Sequence, residues 1–192
     1  MKLNQISQSE MPTRNLDRVY QLDANRINAR QKDADVNQLE LWHKHKVIFL
    51  EMSLIAYDEA CIGSKDRSKK AENYTWISTN DSLGGETEFR RIIESIVFPL
   101  GAKKPGEKND ISILLDAKIG GATLVTLDGA SHSQPGGILG NANRLLSDIG
   151  IRVITAKQAV NEIRKYIRFR DRVARNVAKI TGKKLPKWVG KD

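Results

Sequence analysis

Between Lys46 and Thr155, short apolar runs rich in β-branched and aromatic residues alternate with segments of helical periodicity. The runs are "KVIFLEM", "YTWIST", "ATLVTL" and "IRVIT". Between them lie "SLIAYDEACIG", then "ETEFRRIIESIVFPL" with Phe89, Ile92, Ile93, Ile96 and Val97 on one face, then "DISILLDAKI" with Asn109 as N-cap. A shorter helix follows near Ala142 to Asp148, and Thr155 can cap a last helix running as far as Thr181 before Gly182. Strands separated by helices predict an α/β, three-layer architecture: a mostly parallel central sheet of four or five strands flanked by helices. In such a sheet ligands bind outside the carboxyl ends of the strands. What each strand carries at that end is therefore the functional question.

At 192 residues the chain suits one domain with a single core. The expected organisation is an N-terminal helical extension over 1–45, an α/β domain over 46–165, and a basic C-terminal helix and tail over 166–192. "SKDRSKKAEN" and "GAKKPGEKN" read as loops. No apolar run approaches the roughly 20 residues of a membrane span and the start lacks a signal-peptide core, so the expected compartment is cytoplasmic. Cys61 is the only cysteine, which excludes an internal disulfide and a cysteine-rich zinc site and suggests a buried thiol. Charge is unevenly placed: residues 164–192 hold eleven Lys or Arg against two Asp, and residues 1–163 hold 21 of each sign. The whole excess of +9 thus sits in the C-terminal segment and suits a polyanion, nucleic acid above all.

On this reading the run from Lys46 ends at Glu51 and "ATLVTL" runs into Asp128. Asp110 opens the helix just before that strand, on the same edge. "YTWIST" is followed by Asp81, then by Glu86 and Glu88 in the first turn of the next helix. Each acid has an ordinary explanation: a helix N-terminus for Asp110, Glu86 and Glu88, a turn for Asp128. Glu51 is harder to explain so, because acids are depleted in buried strands. Their coincidence at one edge points to a hard cation, Mg²⁺ or Mn²⁺, since clustered carboxylates repel and offer only oxygen ligands. Such ions activate water and stabilise the charge that builds on phosphate.

"DISILLDAKIGGATLVTLD" resembles the C-terminal signature of PIN domains, in which an acid opens a helix, a glycine turn follows, and a strand runs into a second acid. "VIFLEMSLIAY" resembles the first PIN strand and helix, with Glu51 where the family has aspartate. "STNDSLGGETEFRRII" resembles the segment carrying the family's second acid and favours Glu88. "IRVITAKQAV" resembles the last strand and helix. The resemblance spans about residues 46–165. It implies a metal-dependent nuclease, most often an endoribonuclease of the toxin-antitoxin type, with Glu51, Glu88, Asp110 and Asp128 as Mg²⁺ or Mn²⁺ ligands and catalytic groups. It also leaves room for an antitoxin-like protein partner and a homodimer. Two departures stand out: glutamate at position 51, and a segment between Glu88 and Asp110 shorter than is usual in the family. The rival reading is a catalytically impaired nucleic-acid-binding protein that kept the fold.

The last helix spaces Val160, Ile163, Ile167, Val173, Val177 and Ile180 for one packed face. Arg164, Lys165, Arg168, Arg170, Arg172 and Arg175 form the other, a candidate surface for RNA or another single-stranded nucleic acid. Trp188 reads either as a base-stacking platform or as a residue packed on the domain.

Overall fold

The four residues "VYQL", Val19–Leu22, form β1, which among the described residues is the central strand of a five-stranded, all-parallel sheet with order β3-β2-β1-β4-β5. The protein, seen in a computed structural model, is described over residues 10–27, 30–62, 65–77, 86–132 and 134–192. After β1 come a 3-10 turn at Ala24–Arg26, α1 (Ala34–Lys44), β2 (Phe49–Ser53), α2 (Leu54–Cys61), α3 (Lys65–Ala71) and β3 (Thr75–Ile77). Then follow α4 (Glu86–Val97), α5 (Pro105–Ile119), β4 (Thr123–Val125), α6 (Gly137–Gly140), α7 (Ala142–Ile149), β5 (Val153–Ile154) and α8 (Ala156–Thr181).

The layers follow from β1. Successive side chains of a strand leave opposite faces of the sheet. Tyr20 meets Glu162 of α8 through its hydroxyl, whereas Gln21 donates from Nε2 to the carbonyl of Ile113 in α5 at 2.9 Å. Helices therefore cover both faces, with α1 packed beside α8 and α5 beside α2 and α4. Tyr20, Leu22, Leu50, Met52 and Leu124 are buried between these layers, as a parallel sheet requires. The expected three-layer α/β class is borne out.

Several local expectations change. The sheet begins at Val19, inside the stretch 1–45 expected to be a helical extension. The run from Lys46 contributes β2 rather than the first strand, and it continues past Glu51 to Ser53. Lys65–Ala71, expected as a loop, is helical, since Lys, Arg and Ala are good helix formers and Ala71 buries its methyl. The helix expected to open at Asp110 starts five residues earlier. Pro105 presets its first turn, and Glu107 Oε2 accepts from the backbone N–H groups of Lys103 at 2.7 Å and Lys104 at 2.9 Å. Cys61 is half-buried and its thiol donates to the Ser68 hydroxyl.

The last helix matches its expected ends. Thr155 Oγ1 accepts from Gln158 N, Gln158 Oε1 accepts from Thr155 N, and Gly182 closes the helix at φ +68°. It crosses the expected boundary at residue 165 without a break, so its basic half is anchored by the same helix that covers the sheet. Beyond it the chain folds back. Arg170, expected on the basic face, is buried: it pairs with Asp171 at 2.7 Å and Asp192 at 2.9 Å, donates to the Arg14 carbonyl, and lies 4.3 Å from the Trp188 ring centroid. The position falls on the packed side because helix periodicity puts residues 163, 167, 170 and 174 in one row. Trp188 is thereby committed to packing. Among the described residues no helix is long and apolar enough to cross a membrane.

Breaking a buried pair by removing one partner strands the other charge. Arg170→Leu should lower unfolding stability by about 3–5 kcal/mol in urea titrations. Exposed Arg168→Leu should change it by less than about 0.5 kcal/mol.

Candidate functional site

Parallel register decides which residues reach the carboxyl edge. Gln21 of β1 is level with Glu51 of β2 and Leu124 of β4, and Leu22 is level with Val125. One residue further, the N–H of Asp23 donates to the Val125 carbonyl at 3.1 Å. Asp23 therefore stands just past the end of the central strand, beside Thr126. Glu51 lies two rows inside the sheet.

A small network fixes this tip. Thr126 Oγ1 donates to Asp23 Oδ2 at 2.6 Å, and Asn25 Nδ2 donates to the same oxygen at 2.7 Å. The Asp128 N–H donates to Thr126 Oγ1 at 2.9 Å, and Asn25 Oδ1 accepts from Leu127 N at 3.2 Å. Asp128 is held from its other side as well, since its Oδ2 accepts from Ile138 N at 2.9 Å and its carbonyl accepts from Leu139 N. This return of the loop onto itself needs Gly137 at φ +62°, where an added Cβ would overlap the Gly129 backbone.

Two further acids reach the edge from helices. Glu59 lies on the face of α2 shared with buried Ala56 and Ala60, and its Oε1 accepts from Asn109 Nδ2 at 2.7 Å. Asp110 follows Asn109 in the second turn of α5. That position removes the ordinary explanation for it, because the helix dipole acts within the first turn.

Electrostatics tie the four together. Burial pushes the Asp110 carboxyl up to about 8, helped by the charges of Asp128, Asp23, Glu59 and Glu107. Asp23, only 5% exposed, is raised by burial and by Glu59 and Asp128, against the hydrogen bond from Thr126. Four chain segments thus place carboxyl groups within each other's field. Arg67 of α3 reaches the same edge, donating from Nη2 to the Ala24 carbonyl at 3.0 Å.

Of the acids expected from sequence, Asp110 and Asp128 come together here. Glu51 does not join them: it is half-buried within β2, one carboxylate oxygen has no hydrogen-bond partner among the described residues, and burial raises it to about 7. Glu88 is exposed on α4 and pairs with Arg91 at 3.0 Å. Asp81 lies outside the described residues. Asp23 and Glu59 were missed, yet each has a sequence signal. "VYQLDAN" is a short β-prone run ending in an acid, and Glu59 is the acid set between Ala56 and Ala60 on a face of small residues.

Carboxylates suit a hard divalent ion by donor chemistry. Among the described residues no three His, Cys, Asp or Glu side chains stand close enough to hold one ion together. The fit is therefore to an ion bound through one or two carboxylates with water completing its shell, the usual habit of Mg²⁺.

No protein-family model matches the sequence. No curated protein matches it either. Among solved structures the chain is similar to VapBC2 from Rickettsia felis, seen bound to a DNA fragment from its promoter. The match has 18% sequence identity and a TM-score of 0.44, and covers 71% of this chain and 98% of that one.

Two outcomes follow from the geometry. An acid whose folded pKa is raised keeps a proton that the unfolded chain, titrating near 4, has already released. Stability of the metal-free protein should therefore fall as pH rises from about 4 to about 8, and Asp110→Asn should flatten the upper part of that slope in urea titrations at stepped pH. Glu51 contributes with the same sign up to about 7. Gly137→Ala should cost about 1–3 kcal/mol in the same titrations, from backbone overlap and a left-handed φ.

Proposed function

We propose that the protein is a metal-dependent phosphodiesterase of PIN type, an endoribonuclease, with its centre at Asp23, Glu59, Asp110 and Asp128. The observation that carries this reading is the convergence of those four carboxyl groups from four chain segments at the carboxyl edge of a parallel sheet, where Asp110 and Asp23 are buried beside the other acids. Holding them together has no structural benefit that a neutral side chain would not supply better, and a cation relieves their repulsion.

In this reading Asp110 and Asp128 keep the roles that the family resemblance gave them. Asp23 takes the strand-tip role first given to Glu51, and Glu59 takes the one given to Glu88. The exchange removes the misfit of a glutamate where the family has aspartate, because Asp23 follows the central strand with Asn25 two residues on. An Mg²⁺ or Mn²⁺ ion held here would supply an activated water and neutralise charge building on phosphate.

The remaining groups have positioning work. Thr126 and Asn25 fix the rotamer of Asp23, and the Ile138 N–H fixes that of Asp128. Asn109 holds Glu59. Asp110, pushed up to about 8 by burial and the neighbouring acids, is protonated in the metal-free protein near neutral pH and gives up that proton when an ion binds.

The test combines binding and turnover. Mn²⁺ affinity in calorimetric titration should weaken, and cleavage of a labelled single-stranded RNA should be lost, for Asp23→Asn, Asp110→Asn and Asp128→Asn. Cleavage should drop at least about 100-fold, the upper end of the loss seen when even an outer-shell partner is removed. Glu51→Gln and Glu88→Gln should stay within about threefold of the parent. Intact nucleic-acid binding with no metal-dependent cleavage by the parent would instead establish the impaired, binding-only reading.

A further inference from the structure

The exposed side of α8 carries a row of cations. Lys157, Arg164, Arg168, Arg172, Arg175 and Lys179 follow one another at steps of three or four residues, apart from Asn161 between the first two, and all are exposed. Residues so spaced are neighbours on a helix, roughly 5–6 Å apart. At 1.5 Å per residue the row runs about 33 Å, and its dense part from Arg164 to Lys179 about 22 Å.

The row is not neutralised from within. The helix has two acids, and both are engaged elsewhere. Glu162 pairs with Arg152 and accepts from the Tyr20 hydroxyl, and Asp171 is buried against Arg170. Among the described residues none of the six cations enters an ion pair. Phe169 lies beside the row, 41% exposed, with the Arg172 guanidinium 5.4 Å from its ring centroid. An exposed aromatic next to backbone-binding cations is the arrangement on which unpaired bases stack.

Direction adds to this. The helix leaves β5 at Thr155, on the same carboxyl edge that carries the four acids, and runs back along the sheet away from it. We propose that this row is a track for the sugar-phosphate backbone of a single-stranded nucleic acid. It binds about six or seven nucleotides at the stacked rise of about 3.4 Å, with one end of the strand delivered toward the acid edge. The binding stands by itself; only the delivery rests on the nuclease reading. It also exceeds that reading, because it makes affinity a property of a surface that contains none of the four acids.

The experiment is anisotropy of a fluorescein-labelled 20-nucleotide oligouridylate with the full chain in EDTA, at several salt concentrations. A variant carrying Arg168→Gln, Arg172→Gln and Arg175→Gln should bind at least about tenfold more weakly, with the slope of log Kd against log salt smaller by about 2, near 0.7 per lost contact. Phe169→Ala should weaken the single strand while leaving a duplex of equal length unchanged. Equal affinity and slope for the triple variant, with an unchanged urea transition, overturns the track. So does equal competition by polyglutamate of matched charge, which would mark an acidic protein as the occupant. Asp110→Asn should bind within about twofold of the parent, since none of the four acids lies in the row, and a tenfold loss there overturns the track; parent binding without cleavage overturns the nuclease reading alone.

Discussion

The constraint on which the rest depends is that β1 is both central and only four residues long. A parallel sheet sends every strand end to one edge, and the middle strand sets the level at which its neighbours stop. Because Gln21 is level with Glu51 and Leu124, the first residue past β1 is Asp23, and it meets Thr126 rather than anything on the strand interiors. The Asp23, Asn25 and Thr126 hydrogen bonds then carry that level into the Asp128 loop. Shift β1 by one residue and its side chains change faces, so Gln21 would lose α5 and Tyr20 would lose α8.

How much of this could be read in the sequence follows the strength of each local signal. The α5–β4 stretch is long, with a glycine stop and an acid at the end of the strand, and it was legible down to Asp110 and Asp128. The capping box at Thr155 and the glycine at 182 gave α8 both its ends. β1 was hidden because four residues are too few for a period-two pattern and one of them is glutamine. The tertiary hydrogen bond from its Nε2 to Ile113 helps that glutamine sit inside the sheet. Without β1 the run from Lys46 reads as the first strand, and Glu51 takes the strand-tip place that the register gives to Asp23. The start of α5 was missed for a different reason: "KKPGEK" has turn composition, and the proline that suggests a loop is the residue that starts the helix.

Charge is partitioned along the fold. Acids gather where strands end, and bases lie on the far side of a helix whose inner face covers the sheet. Two arginines separated by one turn fraction illustrate how sharply periodicity divides them: Arg168 is exposed, while Arg170 is buried among Asp171, Asp192 and Trp188. Composition alone made both look like surface charge.

The bond from Thr126 to Asp23 joins residues 103 apart in the chain. A chain growing from its N-terminus exposes β1 early, but the strand it needs on one side, β4, emerges only after a hundred more residues have been made. Loop closure of that span comes late and slowly. Until then the acid edge has no second half, and the nascent protein carries Asp23 without Thr126 and Asp128 beside it. The same topology that concentrates four carboxyl groups at one place also delays their meeting until the chain has been made as far as Asp128.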